Sequence, residues 1–150
     1  MHSTLRAFSI SALFLTFVTG GGTVAAGDKD SLQGVWMGES MESDGNQAPK
    51  EAVDRMRFTF KKNELLVKGN FQDDREERCS YKIDGTKSPK QLDFTPPKAE
   101  KPILAIYELK GDKLRIRLRH GGSFGGRPTE FSAKRDSGMV LIVFKRKKPE

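Results

Sequence analysis

The chain has 150 residues, 35% hydrophobic and 31% charged, with a formal net charge of +7 at pH 7. That length allows one domain with a single core and leaves no room for two once a leader is removed. One cysteine and two histidines exclude an intramolecular disulfide and a zinc site of usual composition.

Residues 1–26 read as a signal peptide. "MHSTLR" supplies a short basic start at Arg6, "AFSISALFLTFV" an apolar run of twelve, and "TGGGTVAA" a helix-breaking stretch ending in small residues. Val24 and Ala26 suit signal peptidase, so cleavage is expected after Ala26. A mainly apolar run of twelve falls short of the roughly 20 residues needed to span a bilayer. The expected product is exported to the periplasm or beyond, with a short linker over 27–30 and one domain over 31–148. Loss of Arg6 lowers the basic count from 27 to 26 against 20 acids, a charge of +6. In the cytoplasm such a surplus would suggest nucleic acid. An exported chain meets anionic wall polymers and lipid headgroups instead.

After Gly27, short alternating runs recur about every ten residues. "LQGVWMGE" (32–39) opens the series. "PKEAVDRM" (49–56) is the one helical stretch, with Pro49 placed for a first turn. "RMRFTFK" (55–61) sets Met56, Phe58 and Phe60 against Arg55, Arg57 and Lys61, the period of a half-buried strand. "KNE" then turns the chain into "LLVKG". "RCSYKID" (78–84) alternates Cys79, Tyr81 and Ile83 against polar residues, so Cys79 is expected to face the core as a small hydrophobe. "QLDFTPP" turns Leu92 and Phe94 inward before two prolines stop it. "ILAIYEL" (103–109) is apolar on both faces and predicts a more enclosed strand. "KLRIRLRH" points Leu114, Ile116 and Leu118 one way and Arg115, Arg117 and Arg119 the other. "MVLIVFKRK" (139–147) ends in a basic tail. The reading is all-β: eight antiparallel strands with one short helix after the first. They form a closed barrel or two stacked sheets, and closure has the merit of removing exposed edges.

The chemistry-bearing patterns are few. "RHGGSFGGRPTEF" (119–131) has neither phosphate-loop spacing nor a following helix, so its glycines are expected to serve a connector. Phe124 stands in it as a candidate contact, with Arg127 beside it. His120 and Ser123 lack the fixed geometry of a nucleophile and its base. "DDREER" (73–78) spells no calcium loop and reads as a solvated hairpin tip. No catalytic, metal or cofactor residues are expected. Arg115, Arg117 and Arg119 share one strand face and would repel one another unless acids such as Glu108 or Glu130 answer them. They read as a solvated outer face, or as a docking face with Arg55, Arg57 or Lys82 beside them if their strands adjoin.

Gly34-x-Trp36 on the first strand resembles the opening motif of lipocalins, whose T-D-Y motif has no counterpart here. A broader resemblance covers nearly all of 31–148. It rests on "LQGVW", "YKIDGTKSPKQLDFTP", "AIYELKGDKLRIRL" and "RPTEFSAKRDSGMVLIVFKRK", in that order. These blocks resemble a family of small exported lipocalin-like domains, of unknown function, found mainly in planctomycete bacteria. The resemblance implies an eight-stranded lipocalin-like (calycin-type) barrel. Trp36 would close its narrow end, and Arg146 or Lys145 would lie across the indole ring. It implies no catalytic residues.

The expected function is a non-enzymatic exported binding module. Its many aromatics predict a mostly filled barrel with at most a shallow pocket at the open end, fit for a small apolar ligand. The segments 40–54 and 120–128 are expected near that mouth. The alternative is a cell-envelope interaction domain that docks an anionic polymer or a partner protein through the arginine face.

Overall fold

The computed structural model describes residues 27–69, 74–121, 126–132 and 134–150. The expected signal peptide and Phe124 lie outside the described residues. Within them, β1 (Gly34–Ser43), β3 (Arg57–Lys61), β4 (Glu64–Lys68), β5 (Glu77–Asp84), β6 (Lys90–Thr95), β7 (Ile103–Lys110), β8 (Lys113–Arg119) and β9 (Met139–Arg146) pair antiparallel in sequence order. Pairing of β1 with β9 closes the eight into a barrel. The two-residue β2 (Asn46–Gln47) only extends β1 as a small hairpin. The choice between barrel and stacked sheets therefore falls to the barrel.

Closure needs β1 to pair along most of its length with β9 and partly with β3, and a bulge lets it do so. Its register against β9 slips between Gly38 and Ser40. Trp36 faces inward before the slip and Met41 after it, both buried. An uninterrupted alternation would have turned Met41 outward. Helix α2 (Lys50–Asp54), the one expected, lies against β1 at Gly38, where a methyl group would overlap the Val53 carbonyl oxygen.

The expected linker at 27–30 is instead part of a second short helix, α1 (Asp28–Leu32). It folds back under the barrel because Gly34 adopts φ 116°, a left-handed value that other residues rarely take. Leu32 is buried, and its carbonyl accepts the Trp36 indole N–H at 2.8 Å. The Tyr81 hydroxyl donates to Lys62 O (2.9 Å) and accepts from Gln33 Nε2 (3.1 Å). Asp28 accepts from the Tyr107 hydroxyl at 2.8 Å and from Lys90 at 2.6 Å. The Lys90 hydrogen bond, with Tyr107 adding, holds the Asp28 carboxyl below its ordinary pKa against a partial desolvation. Burial, and then the Asp28 contact, pushes the Tyr107 phenol well above its ordinary value.

Trp36 and Arg146 are directly paired across the β1–β9 seam. The guanidinium carbon sits 4.2 Å from the indole centroid. Its Nη1 and Nη2 donate to Gln33 O (2.8 Å) and Ser31 O (2.5 Å), and Nε lies 3.3 Å from Asp112. Of the two basic residues expected over the indole, Arg146 takes the place; Lys145 is exposed.

Two outcomes test this end of the barrel. Arg146→Ala should lower unfolding free energy in urea by about 2 kcal/mol, from the ring contact and the lost charged hydrogen bonds, whereas Lys145→Ala should stay within about 0.5 kcal/mol. Asp28 has a depressed folded pKa, so its contribution is present above the unfolded value of about 3.9 and is lost as pH falls through the folded value. Asp28→Asn should therefore cost about 1 kcal/mol at pH 7 and flatten the acid limb of the stability profile. An unchanged limb would rule the Asp28 anchor out.

Candidate functional site: the open half of the barrel

Alternating side chains fill the two halves of the barrel differently. Near Trp36, Phe60 meets Tyr81 edge to face at 5.1 Å, and Leu65, Leu92, Tyr107 and Leu114 are buried around them. Midway, Phe58 lies over Phe144 with centroids 4.6 Å apart. Beyond this layer the inward residues are smaller, and a cavity of about 310 Å³ opens. Its walls include Val67, Cys79, Ile103, Leu118, Val140 and Ile142, with Phe58 and Phe94 edge to face at 6.2 Å. Lys68, Glu77 and His120 bring polar groups to it. The volume sits at the lower end of the roughly 300–1,000 Å³ typical of small-molecule pockets. The expectation of a filled lumen with at most a shallow pocket thus holds for the closed half, while the open half is hollow.

Cys79 lines this wall and is 1% exposed. Burial, with the charge of Glu77 adding to it, pushes its thiol up to about 11. It belongs to the wall as an apolar group, as its phase implied. Among the described residues no group of three or more His, Cys, Asp or Glu side chains is placed to hold a metal ion. Of the segments expected at the mouth, His120 and Gly121 do line the cavity, and Met56 joins them just after α2.

The arginine face is not the open surface expected. Residues 126–132 cross over the outside of β6, β7 and β8. Arg127 Nη1 donates to Ala105 O at 2.7 Å and lies 2.6 Å from Asp93 Oδ1. The N–H is aimed at the carbonyl, so its link to the carboxylate is ionic, without a well-aligned hydrogen bond. Arg117 donates to the Glu130 carbonyl and is only 3% exposed; burial lowers its pKa. Arg115 lies 4.8 Å from the Phe131 ring centroid and 3.4 Å from Glu108. The neighbours of β8 are β7 and β9, so Arg55, Arg57 and Lys82 do not join the row. Arg115, Arg117 and Arg127 are spent on fastening this strap. Arg119, the fourth of the basic candidates, is partly buried at the end of β8.

The strap also explains the apolar character of β7 on both faces. Ile106 points outward yet is 1% exposed, and Pro128 is buried. Glu77, read with 73–78 as a solvated hairpin tip, instead begins β5 and lines the cavity. Its signal was its phase, shared with Cys79 and Tyr81, just as His120 shares the phase of Leu118 and Ile116.

No family model, curated protein or solved structure matches the chain.

With its thiol buried and held protonated, Cys79 should react with iodoacetamide at pH 8 at least tenfold more slowly than in urea-unfolded protein. Equal rates, followed by mass spectrometry, would mean the wall is open at this point.

Proposed function

We propose that the chain is a non-enzymatic, exported binding module of the lipocalin-like kind, holding one small apolar molecule in the open half of its barrel. The observation that carries this reading is the apolar cavity of about 310 Å³ at one end of a barrel whose other end is packed solid. Rigid walls on antiparallel strands give a pre-formed site, which spares a ligand the cost of ordering it. Lys68, Glu77 and His120 supply polar groups to the polar end of such a molecule. The buried, protonated thiol of Cys79 argues against thiolate chemistry in the same space.

The lipocalin-like reading is supported by Gly34 and Trp36 at the start of the first strand, with Arg146 across the indole. Export is supported by the leader-like pattern of residues 1–26.

Protein recovered from exporting cells should yield a near-stoichiometric apolar compound in an organic extract analysed by mass spectrometry. The neutral fluorophore N-phenyl-1-naphthylamine should bind the extracted protein. At one hundred times its Kd it should stabilise the fold by about 2.7 kcal/mol. Filling the cavity with Val140→Trp or Ile142→Trp should weaken the probe at least tenfold while the far-ultraviolet spectrum stays β-type. A blank extract, together with probe binding indifferent to both substitutions, would refute the carrier reading.

A further inference from the structure

Ten of the sixteen lysines of this chain lie at one end of the barrel. Strand register defines that end: Gly34 pairs with Phe60, Lys61 with Glu64, Asp84 with Gln91, Lys110 with Lys113, and Trp36 with Arg146. It is the closed end, opposite the cavity. Helix α1 brings Lys29 to it, and the β3–β4 turn brings Lys61 and Lys62. The β5–β6 and β7–β8 turns add Lys87, Lys90, Lys110 and Lys113. At the C-terminus Lys147 is pinned there by its backbone N–H, which donates to Val35 O at 2.8 Å, and Lys145 and Lys148 flank it.

Many of the acids at this end are already engaged. Asp28 is held by Lys90, Glu64 by Arg78 at 3.6 Å, and Asp112 by Arg146. Glu108 lies 3.0 Å from Lys110, Glu39 3.2 Å from Lys113 and Glu150 3.8 Å from Lys147. Asp84 bonds only the neutral Thr86, its hydroxyl at 2.6 Å, and the exposed Asp30 has no ion pair among the described residues, so these two offset part of the lysine charge. Lys61, Lys62, Lys145 and Lys148 are exposed and carry no ion pair among the described residues. Lys29 is likewise exposed, and it donates to the neutral Asn63 amide at 2.6 Å, which fixes its position without cancelling its charge. At the open end the balance is more even: α2 and the segments beside the mouth mix Lys50, Arg55, Arg57 and Lys68 with Asp54, Asp74, Glu76 and Glu77, and the β6–β7 turn adds Lys98 and Lys101 with Glu100.

We propose that the closed end is a docking face for a bilayer rich in anionic phospholipid. Three hairpin turns and two chain segments meet at one end of a closed barrel, so their ammonium groups surround its axis. A ring of point charges suits a planar array of headgroups; a linear polyanion would be better served by a row or a channel. The attraction acts within a Debye length and is screened by salt. It replaces the arginine face, which the strap occupies, as the cationic surface of the molecule. Docking this way leaves the cavity mouth roughly 20 Å from the bilayer, the length of the tilted strands.

The test is co-sedimentation of the protein, recovered from exporting cells, with vesicles of phosphatidylcholine alone or with 30 mol% phosphatidylglycerol. Binding is expected only to the anionic vesicles, and is expected to vanish in 0.5 M salt. The triple variant Lys61→Gln, Lys62→Gln, Lys148→Gln should bind at least tenfold more weakly, given about fivefold per lysine near a charged surface. The triple variant Lys50→Gln, Lys98→Gln, Lys101→Gln makes the same charge change at the open end and should lose less than threefold. Equal losses in the two variants would overturn the proposal, since net charge alone would then explain binding. Binding to soluble polyphosphate but not to anionic vesicles would assign the face to a polymer and equally overturn it. Neither variant touches the cavity, so probe binding by N-phenyl-1-naphthylamine reports the carrier reading separately.

Discussion

The contact between Trp36 and Arg146 is the constraint on which the rest of the molecule depends. A sheet of eight strands has two edges, and here both are removed by pairing β1 with β9. At the end of that seam the indole fills the narrow lumen, and the guanidinium ties the ring, Asp112 and the carbonyls of the N-terminal segment together. The closed end is therefore solid because one large side chain and one forked cation meet there. The alternative partner, Lys145, lacks the planar fork that reaches two carbonyls while covering a ring.

From that plug the barrel changes character along its axis. Phe60, Tyr81, Tyr107 and Phe144 crowd the first layers, whereas Val67, Cys79, Val140 and Ile142 leave space further on. Strand tilt and number set the lumen's width, and the choice of side chain at each inward position decides whether that width is filled. Packing is thus tightest at one end, and the space is left at the other. The two do not compete for the same residues.

The outer wall shows how a row of like charges can be absorbed by a fold. Arg115 and Arg117 project from one strand, and nothing in an isolated strand would prevent their mutual repulsion. Residues 126–132 answer them with the Glu130 carbonyl and the Phe131 ring, while Arg127 anchors the same segment to Asp93 and Ala105. A surface that looks made for an external anion is in this way covered from within, although the Nε groups of Arg117 and Arg119 stay buried without a hydrogen-bond partner among the described residues. The exposed lysines, many of them at the closed end, keep their charges in water on long flexible stems.

Local alternation determined most of the strands and the inward phase of Phe58, Cys79 and Leu118, because a period of two is a property of neighbouring residues, and Pro49 marked the start of the helix expected within 49–56. The resemblance of Gly34-x-Trp36 to the lipocalin opening implied Trp36 at the narrow end with Arg146 or Lys145 over its ring, and the structure selects Arg146. Tertiary structure alone decided the rest. The bulge between Gly38 and Ser40 answers the register of a strand about a hundred residues away. The helix at 28–32 exists because the barrel floor receives Leu32 and Asp28. The burial of Ile106 and Arg117 requires a segment that returns across them. Whether the lumen is full or hollow depends on side chains drawn from all eight strands at one level, and no window of sequence contains them together.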